Sequence, residues 1–312
     1  MSAILLKARP TAAQLADRLL PPVPDGIELY LDRIDLLGDQ WLETITDRVG
    51  LLNLPEKFMW IVEAPIRTLG GQFFDLTKDD VDHRETIDRV LAVGSAIGAV
   101  AANIHVVCPT LYATQLGRIE RQTALASSIP SVSRYADLCQ NYGMTPQIEN
   151  VPPVGRMRES AYVFSSIGAS PGDLLDLAAA VPALRFTADV SHAALYLNWR
   201  TANRSRLMAT FQPVVDFFCQ SSGPDTLTEF LDDLGERVTV IHVSNADGLL
   251  GEGLEYLAGP EDLDCVLRPF VASSCYFVTE TLEGDPVHAT GMRDAQTHLV
   301  ELRSRCASRS AD

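Results

Sequence analysis

Short runs of β-branched and aromatic residues recur along the chain, each followed by a longer segment whose apolar residues return every three or four positions. That alternation predicts βα units built around a parallel sheet. The pattern predicts strands at 3–7, 27–31, 58–63, 103–108, 145–150, 184–190, 238–244 and 275–280. Helical segments are expected at 11–20, 84–101, 118–141, 172–180, 202–220 and 261–271, with a last one at 290–305. Within 84–101, Ile87, Val90, Leu91, Ile97 and Val100 fall on one face with Glu85, Asp88 and Arg89 between them, so the stripe is core. Eight units close a single (β/α)8 TIM barrel. An open doubly wound sheet would place a glycine-rich turn after its first strand, and Lys7-Ala8-Arg9-Pro10 is not one.

No internal repeat, low-complexity tract or linker divides the chain, so residues 1–312 read as one domain. Two connections are long: 151–171, with Pro152, Pro153, Gly155, Gly168 and Pro171, and 244–260, with Gly248, Gly251, Gly253 and Gly259. Both follow strands directly, so in a barrel they rise over the carboxyl-end face, where loops of this length commonly act as lids.

Composition narrows the function. With 46% hydrophobic and 21% charged residues the chain can bury a sizeable core, which excludes disorder for most of it. The 25 Lys and Arg against 41 Asp and Glu give a net charge of −16, which would repel a phosphate backbone, so no nucleic-acid partner is expected. Lys7, Arg9, Pro10 and Asp17 interrupt the amino-terminal apolar run before it reaches the length of a signal-peptide core or membrane span. A cytoplasmic protein with no membrane partner is the expectation. The six cysteines are scattered with no C-x-x-C pair and read as reduced, mostly buried thiols.

Polar residues that end otherwise apolar strands carry the chemistry, because the lower barrel is packed core and its carboxyl-end mouth is where sites are built. Four strands qualify: 145–150 carries Glu149, 184–190 carries Asp189, 238–244 carries His242, and 275–280 ends in Glu280. Singly, each has a bland reading: Asp189 as a helix cap, Glu149 and Glu280 as solvated acids, His242 as a core histidine. Together at one mouth, three carboxylates repel one another unless a cation joins them. With the imidazole they form a hard O/N donor set suited to one divalent ion such as Mn²⁺, Mg²⁺, Co²⁺ or Zn²⁺.

The segments Gly26-Ile-Glu-Leu-Tyr-Leu, Gln147-Ile-Glu-Asn, Asp189-Val-Ser-His192, Ile241-His-Val-Ser-Asn, Gly251-Glu-Gly253 and Val278-Thr-Glu280 follow one another in an order that resembles the xylose isomerase-like barrels, particularly their sugar phosphate isomerase/epimerase branch. The resemblance spans nearly the whole chain. It implies that Glu149, Asp189, His242 and Glu280 bind one divalent metal and that His192 lies beside a small-molecule substrate. It also implies proton transfer through a metal-stabilised enediolate, with Glu149 and Glu280 as proton carriers. His192 would donate to a substrate oxygen or help ligate the metal. His105 and Glu63 are further substrate or supporting contacts, and Asn150 and Asn245 could orient the ligands, read hydroxyls or stabilise turns. A homo-oligomer is the family-level expectation.

Three departures qualify the resemblance. Gly248 stands where many sugar-acting members carry a basic residue about six positions after the metal-binding His, which speaks against a phosphorylated sugar. No histidine follows Asn245-Ala-Asp247-Gly as in the endonuclease IV-like members, which speaks against DNA repair. The lysine that true xylose isomerases place after the first metal-binding Glu is absent from Asn150-Val-Pro-Pro. The expected function is a divalent-metal-dependent isomerase or epimerase of a sugar or related hydroxycarbonyl compound. The alternatives are a metal-dependent lyase, dehydratase or oxidative tailoring enzyme, and, further off, a nuclease or a non-catalytic subunit.

Overall fold

Along a strand, side chains alternate between two faces, so in a closed barrel every second residue points into the lumen. In the computed structural model, which describes residues 2–156, 161–219 and 223–309, eight parallel strands form such a barrel. They are β1 (Ala3–Ala8), β2 (Gly26–Tyr30), β3 (Met59–Glu63), β4 (Ala101–His105), β5 (Thr145–Glu149), β6 (Arg185–Asp189), β7 (Val238–Val243) and β8 (Tyr276–Thr279). Each strand pairs with the next, and β8 closes onto β1 with Leu5 opposite Val278.

Inside, Leu5, Ile61, Ala101, Val240 and Val278 pack into one fully buried apolar layer. Two residues further along the same strands stand Lys7, Glu63, Asn103, His242 and Glu280. The lumen therefore changes from apolar to ionisable in a single step of the pleat, close to its carboxyl-end mouth. The larger core lies outside the strands, between the sheet and its helices, where Val90 and Leu91 are completely buried.

Helix boundaries follow local capping more than periodicity. The helix Val81–Ile97 starts because the Asp80 side chain accepts from the His83 amide, and it stops at Gly98, whose φ of 71° is left-handed. Val100 therefore lies beyond that helix rather than on its stripe. The largest correction follows β6: the helix runs over Val190–Thr201, directly out of the strand, and not over 202–220. Asp189 caps it at once, leaving the later segment only two 3₁₀ turns and the short helix Gln212–Phe218; Gln220 lies outside the described residues. A helix at Leu227–Leu234, which periodicity did not predict, precedes β7. The segment 261–271 keeps only Leu263–Leu267 and a 3₁₀ turn.

Both long connections rise from the mouth, though 157–160 lie outside the described residues. The first supplies strands Val154–Arg156 and Tyr162–Ser165, which join Pro109–Thr110 in a three-stranded sheet. The second folds into a hairpin of Asn245–Asp247 and Gly251–Leu254. All six cysteines are free, but only Cys139 and Cys275 are buried; Cys219 and Cys265 are exposed, which corrects the expectation of mostly buried thiols.

Candidate metal centre and active site

The four residues singled out at strand ends meet. Around His242 Nδ1 lie Glu280 Oε2 at 2.7 Å, Glu149 Oε1 at 3.3 Å and Asp189 Oδ2 at 3.9 Å. The four ligand atoms all lie within 4.8 Å of one another. Metal–ligand bonds of about 2.0–2.3 Å place neighbouring ligand atoms roughly 3–4.5 Å apart, so the set has the right scale for one ion.

Each carboxylate is held by one oxygen and offers the other. Glu149 Oε2 accepts from the Asn103 amide, Asp189 Oδ1 accepts from the His192 backbone N–H and the Ser191 hydroxyl, and Glu280 Oε1 lies 2.5 Å from Lys7 Nζ. Glu149 Oε1, Glu280 Oε2 and His242 Nδ1 are buried and face one another, the imidazole 2.7 Å from Glu280 and 3.3 Å from Glu149, without a well-directed hydrogen bond. Buried polar atoms left unmatched are costly, and three aimed at one point fit a cation. On the other side of its ring, His242 Nε2 is 2.8 Å from Glu28 Oε2, the carboxylate–histidine arrangement that orients a metal-binding imidazole.

The electrostatics show how strongly these groups depend on positive charge. Burial pushes the Glu149 carboxyl up, but His242 and His105 outweigh it and hold Glu149 well below the usual range. Burial also opposes ionisation of Glu280, yet Lys7 and His242 bring it down to about 2. Asp189 is raised by burial, and Glu63 is raised well above the usual range by burial, with Lys7 opposing. Burial disfavours charge on His242, but Glu28, Glu149 and Glu280 overcome it and raise the imidazole well above its ordinary value.

The further candidates line the cavity above. His105 Nε2 lies 3.6 Å from Glu63 and 3.7 Å from Glu149, and burial lowers its pKa. Glu63 is paired with Lys7 at 2.5 Å. His192 is anchored through Nδ1, 2.9 Å from the Asn150 carbonyl, which leaves Nε2 towards Glu252 at 3.5 Å. Burial works against its charge, but Asp189, Glu252 and Glu149 raise it to about 10. Asn150 and Asn245 are structural: Asn150 exchanges two hydrogen bonds with the Asp189 backbone, and Asn245 ties Ala246, Tyr256 and Glu261 together. Asp189 is both the helix cap of its bland reading and a member of the cluster. Of the two acids expected to carry protons, Glu280 lines the cavity whereas Glu149 is covered, at 1% exposure.

Sequence reasoning missed Lys7, Glu28 and Glu252 as site residues. Lys7 is the notable omission, since its ammonium sits among Glu28, Glu63 and Glu280 at 3.9, 2.5 and 2.5 Å.

No protein-family profile and no curated protein matches this sequence. Solved structures do match its fold. A D-tagatose 3-epimerase-like protein superposes with a TM-score of 0.65 at 14% identity, covering 98% of this chain and 99% of that one. The 3-keto-D-glucoside 4-epimerase YcjR from E. coli gives 0.62 at 13% identity over 96% and 100% of the two chains. The chain has the fold of the xylose isomerase-like epimerase barrels. An AP endonuclease of family 2 from Brucella melitensis matches too, at 0.58 and 13% identity over 92% and 96%, so the fold does not choose the reaction.

Proposed function

We propose that this barrel is a divalent-metal-dependent isomerase or epimerase that moves a proton at the carbon beside a carbonyl of a sugar or related hydroxycarbonyl compound. One observation carries the reading: buried Glu149 Oε1, Glu280 Oε2 and His242 Nδ1 converge, without a well-directed hydrogen bond among them, on a point that Asp189 Oδ2 also faces. These four residues would hold the ion. What such an ion supplies when bound is Lewis-acid polarisation of a carbonyl.

The chain's own groups account for the rest. Glu280 is the carboxylate on the cavity face and the group placed to take the proton, with Lys7 beside its Oε1. Glu149 acts from beneath as the second proton carrier. His192, fixed through Nδ1, turns Nε2 towards the substrate as a hydrogen-bond donor, and His105 faces the same space. Return of the proton to the same carbon from the opposite face gives an epimer; return to the neighbouring carbon gives an isomer.

The test combines metal analysis of the purified protein with deuterium incorporation from solvent into candidate ketoses. A bound divalent ion is expected, with exchange that Glu280→Gln abolishes. Exchange persisting in that variant rejects Glu280 as an essential base.

A further inference from the structure

The cavity above the cluster has a volume of about 570 Å³, within the range of about 300–1,000 Å³ typical of sites that enclose drug-sized molecules and more than a small ketose needs. Its chemistry divides by height. The floor consists of strand ends and is ionisable throughout: Lys7, Glu63, His105, Asp189 and Glu280 all open onto it. The walls consist of the loops beyond those ends and are mostly apolar, with Ser191, His192, Ser244 and Glu252 among the polar exceptions.

Ile66 and Phe73 come from the loop after β3, which folds back on itself through the Phe74 N–H donating to the Ile66 carbonyl at 2.9 Å. Val107 follows β4, Val163 and Phe164 lie in the central strand of the loop sheet, and Leu282 follows β8. Leu282 is 73% exposed at the rim, and its N–H donates to the Gly253 carbonyl at 2.7 Å. The glycine there is required: its φ is +69°, and a Cβ would stand 2.6 Å from Leu282 Cγ.

Of the polar wall atoms, Ser244 Oγ is buried without a hydrogen-bond partner, whereas Ser165 is already engaged. Ser165 Oγ donates to the Ile167 carbonyl and accepts from the Cys108 N–H. Among the described lining residues Lys7, Arg156 and the protonatable His192 can carry positive charge. Lys7 is committed to Glu63 and Glu280, and Arg156 stands exposed at the end of its strand. A free sugar would leave most of its hydroxyls against apolar wall, and the largely buried cationic groups that a phosphate could reach, Lys7 and His192, already face carboxylates.

Resting on the reaction proposed above, we infer that the substrate joins a hydroxycarbonyl group, which sits on the ionisable floor, to an uncharged aryl or branched-alkyl group held between the apolar walls. The polar end sets the reacting atoms and the apolar end supplies most of the binding, as expected where buried apolar area drives association.

Three probes with one shared reacting group test this on the Mn²⁺-loaded protein: hydroxyacetone, its phenyl counterpart 2-hydroxyacetophenone, and dihydroxyacetone phosphate. Calorimetry reads binding, and deuterium exchange at the hydroxyl-bearing carbon reads reaction. The phenyl ketone is expected to bind about tenfold tighter than hydroxyacetone or better. Phe73→Ser should remove most of that preference, weakening the phenyl ketone far more than hydroxyacetone, and the exposed Leu282→Ser should weaken it in a variant whose folding is not at stake. Equal affinities, a stronger grip on the phosphate, or a phenyl preference untouched by both variants overturns the inference. Tighter phenyl binding without exchange upholds the substrate class and rejects the proton-transfer reading; exchange without phenyl preference does the reverse.

Discussion

Lys7 is the residue on which the charge balance of the mouth turns. Its ammonium touches Glu63 and Glu280 at 2.5 Å each and is almost wholly buried. Burial opposes its charge, yet Glu280, Glu63, Glu28 and Glu149 raise its pKa well above the ordinary value. Removing one partner of a buried pair strands the other, at a cost of about 3–5 kcal/mol. Lys7→Met should therefore destabilise the metal-free protein by about that amount. Lys7→Met combined with Glu63→Gln should cost clearly less than the two single changes summed, which urea unfolding of all four forms would measure. The omission of Lys7 from the sequence reading has a physical cause. Lys7 ends the strand expected at 3–7, but that reading sought carboxylate and imidazole donors for a cation, and a lysine is neither. Parity finds it: Lys7 stands two residues beyond Leu5, as His242 stands beyond Val240 and Glu280 beyond Val278. The metal cluster was legible because its four members are ligand-type side chains at or near strand ends; Lys7, a cation, and Glu28, within its strand, required the barrel's closure to bring them beside it.

At the scale of elements, strand positions survived the comparison apart from the one expected at 103–108, which lies at Ala101–His105, and helix boundaries did not, because strands are fixed by burial while helices start wherever a side chain can cap them. The join between β6 and its helix shows this. Asp189 ends the strand, and its Oδ1 accepts from the His192 N–H at 2.7 Å, so the helix begins without a loop and carries His192 one turn above the cluster. A cap at this position thus also sets the distance between a candidate ligand and a candidate substrate contact. The two roles separate by mutation. Asp189→Asn keeps a capping oxygen and should fold with little loss, whereas Asp189→Ala should lose about 1 kcal/mol of cap energy. Both should weaken binding of Mn²⁺ by at least about tenfold, since each removes one anionic donor. Thermal unfolding of the metal-free proteins and calorimetric metal titration would read the two effects independently. A helix displaced in Asp189→Asn, or metal binding retained in Asp189→Ala, would contradict the double role.

For the whole molecule, a barrel must join its ends, and the seam between β1 and β8 lies directly under Lys7 and Glu280. Arg18 spans it: the buried guanidinium donates to the Lys7 carbonyl at 3.1 Å, to the Val287 carbonyl at 2.5 Å and to the Pro286 carbonyl at 3.1 Å. Asp17 completes the clamp, accepting from Arg18 at 3.0 Å and from the Ala289 N–H at 3.0 Å, just before the helix Thr290–Arg309. Burial raises the Asp17 carboxyl, but the Ala289 N–H, His288 and Arg18 outweigh it, so its folded pKa lies below the ordinary 3.8. A depressed carboxyl stabilises the fold above its unfolded pKa, and that stabilisation disappears as pH falls through the folded value. Asp17→Asn keeps the shape and removes the charge, so at pH 7 it should lower stability by about 1–2 kcal/mol, the scale of a charged hydrogen bond. Below about pH 3.8 the carboxyl protonates first in the unfolded chain, and the difference between the proteins should shrink towards zero as pH falls through the lower folded value. Urea midpoints at pH 7 and near pH 3 would show it. A difference independent of pH would mean that the seam is held by Arg18 and the backbone alone, with no contribution from the Asp17 charge.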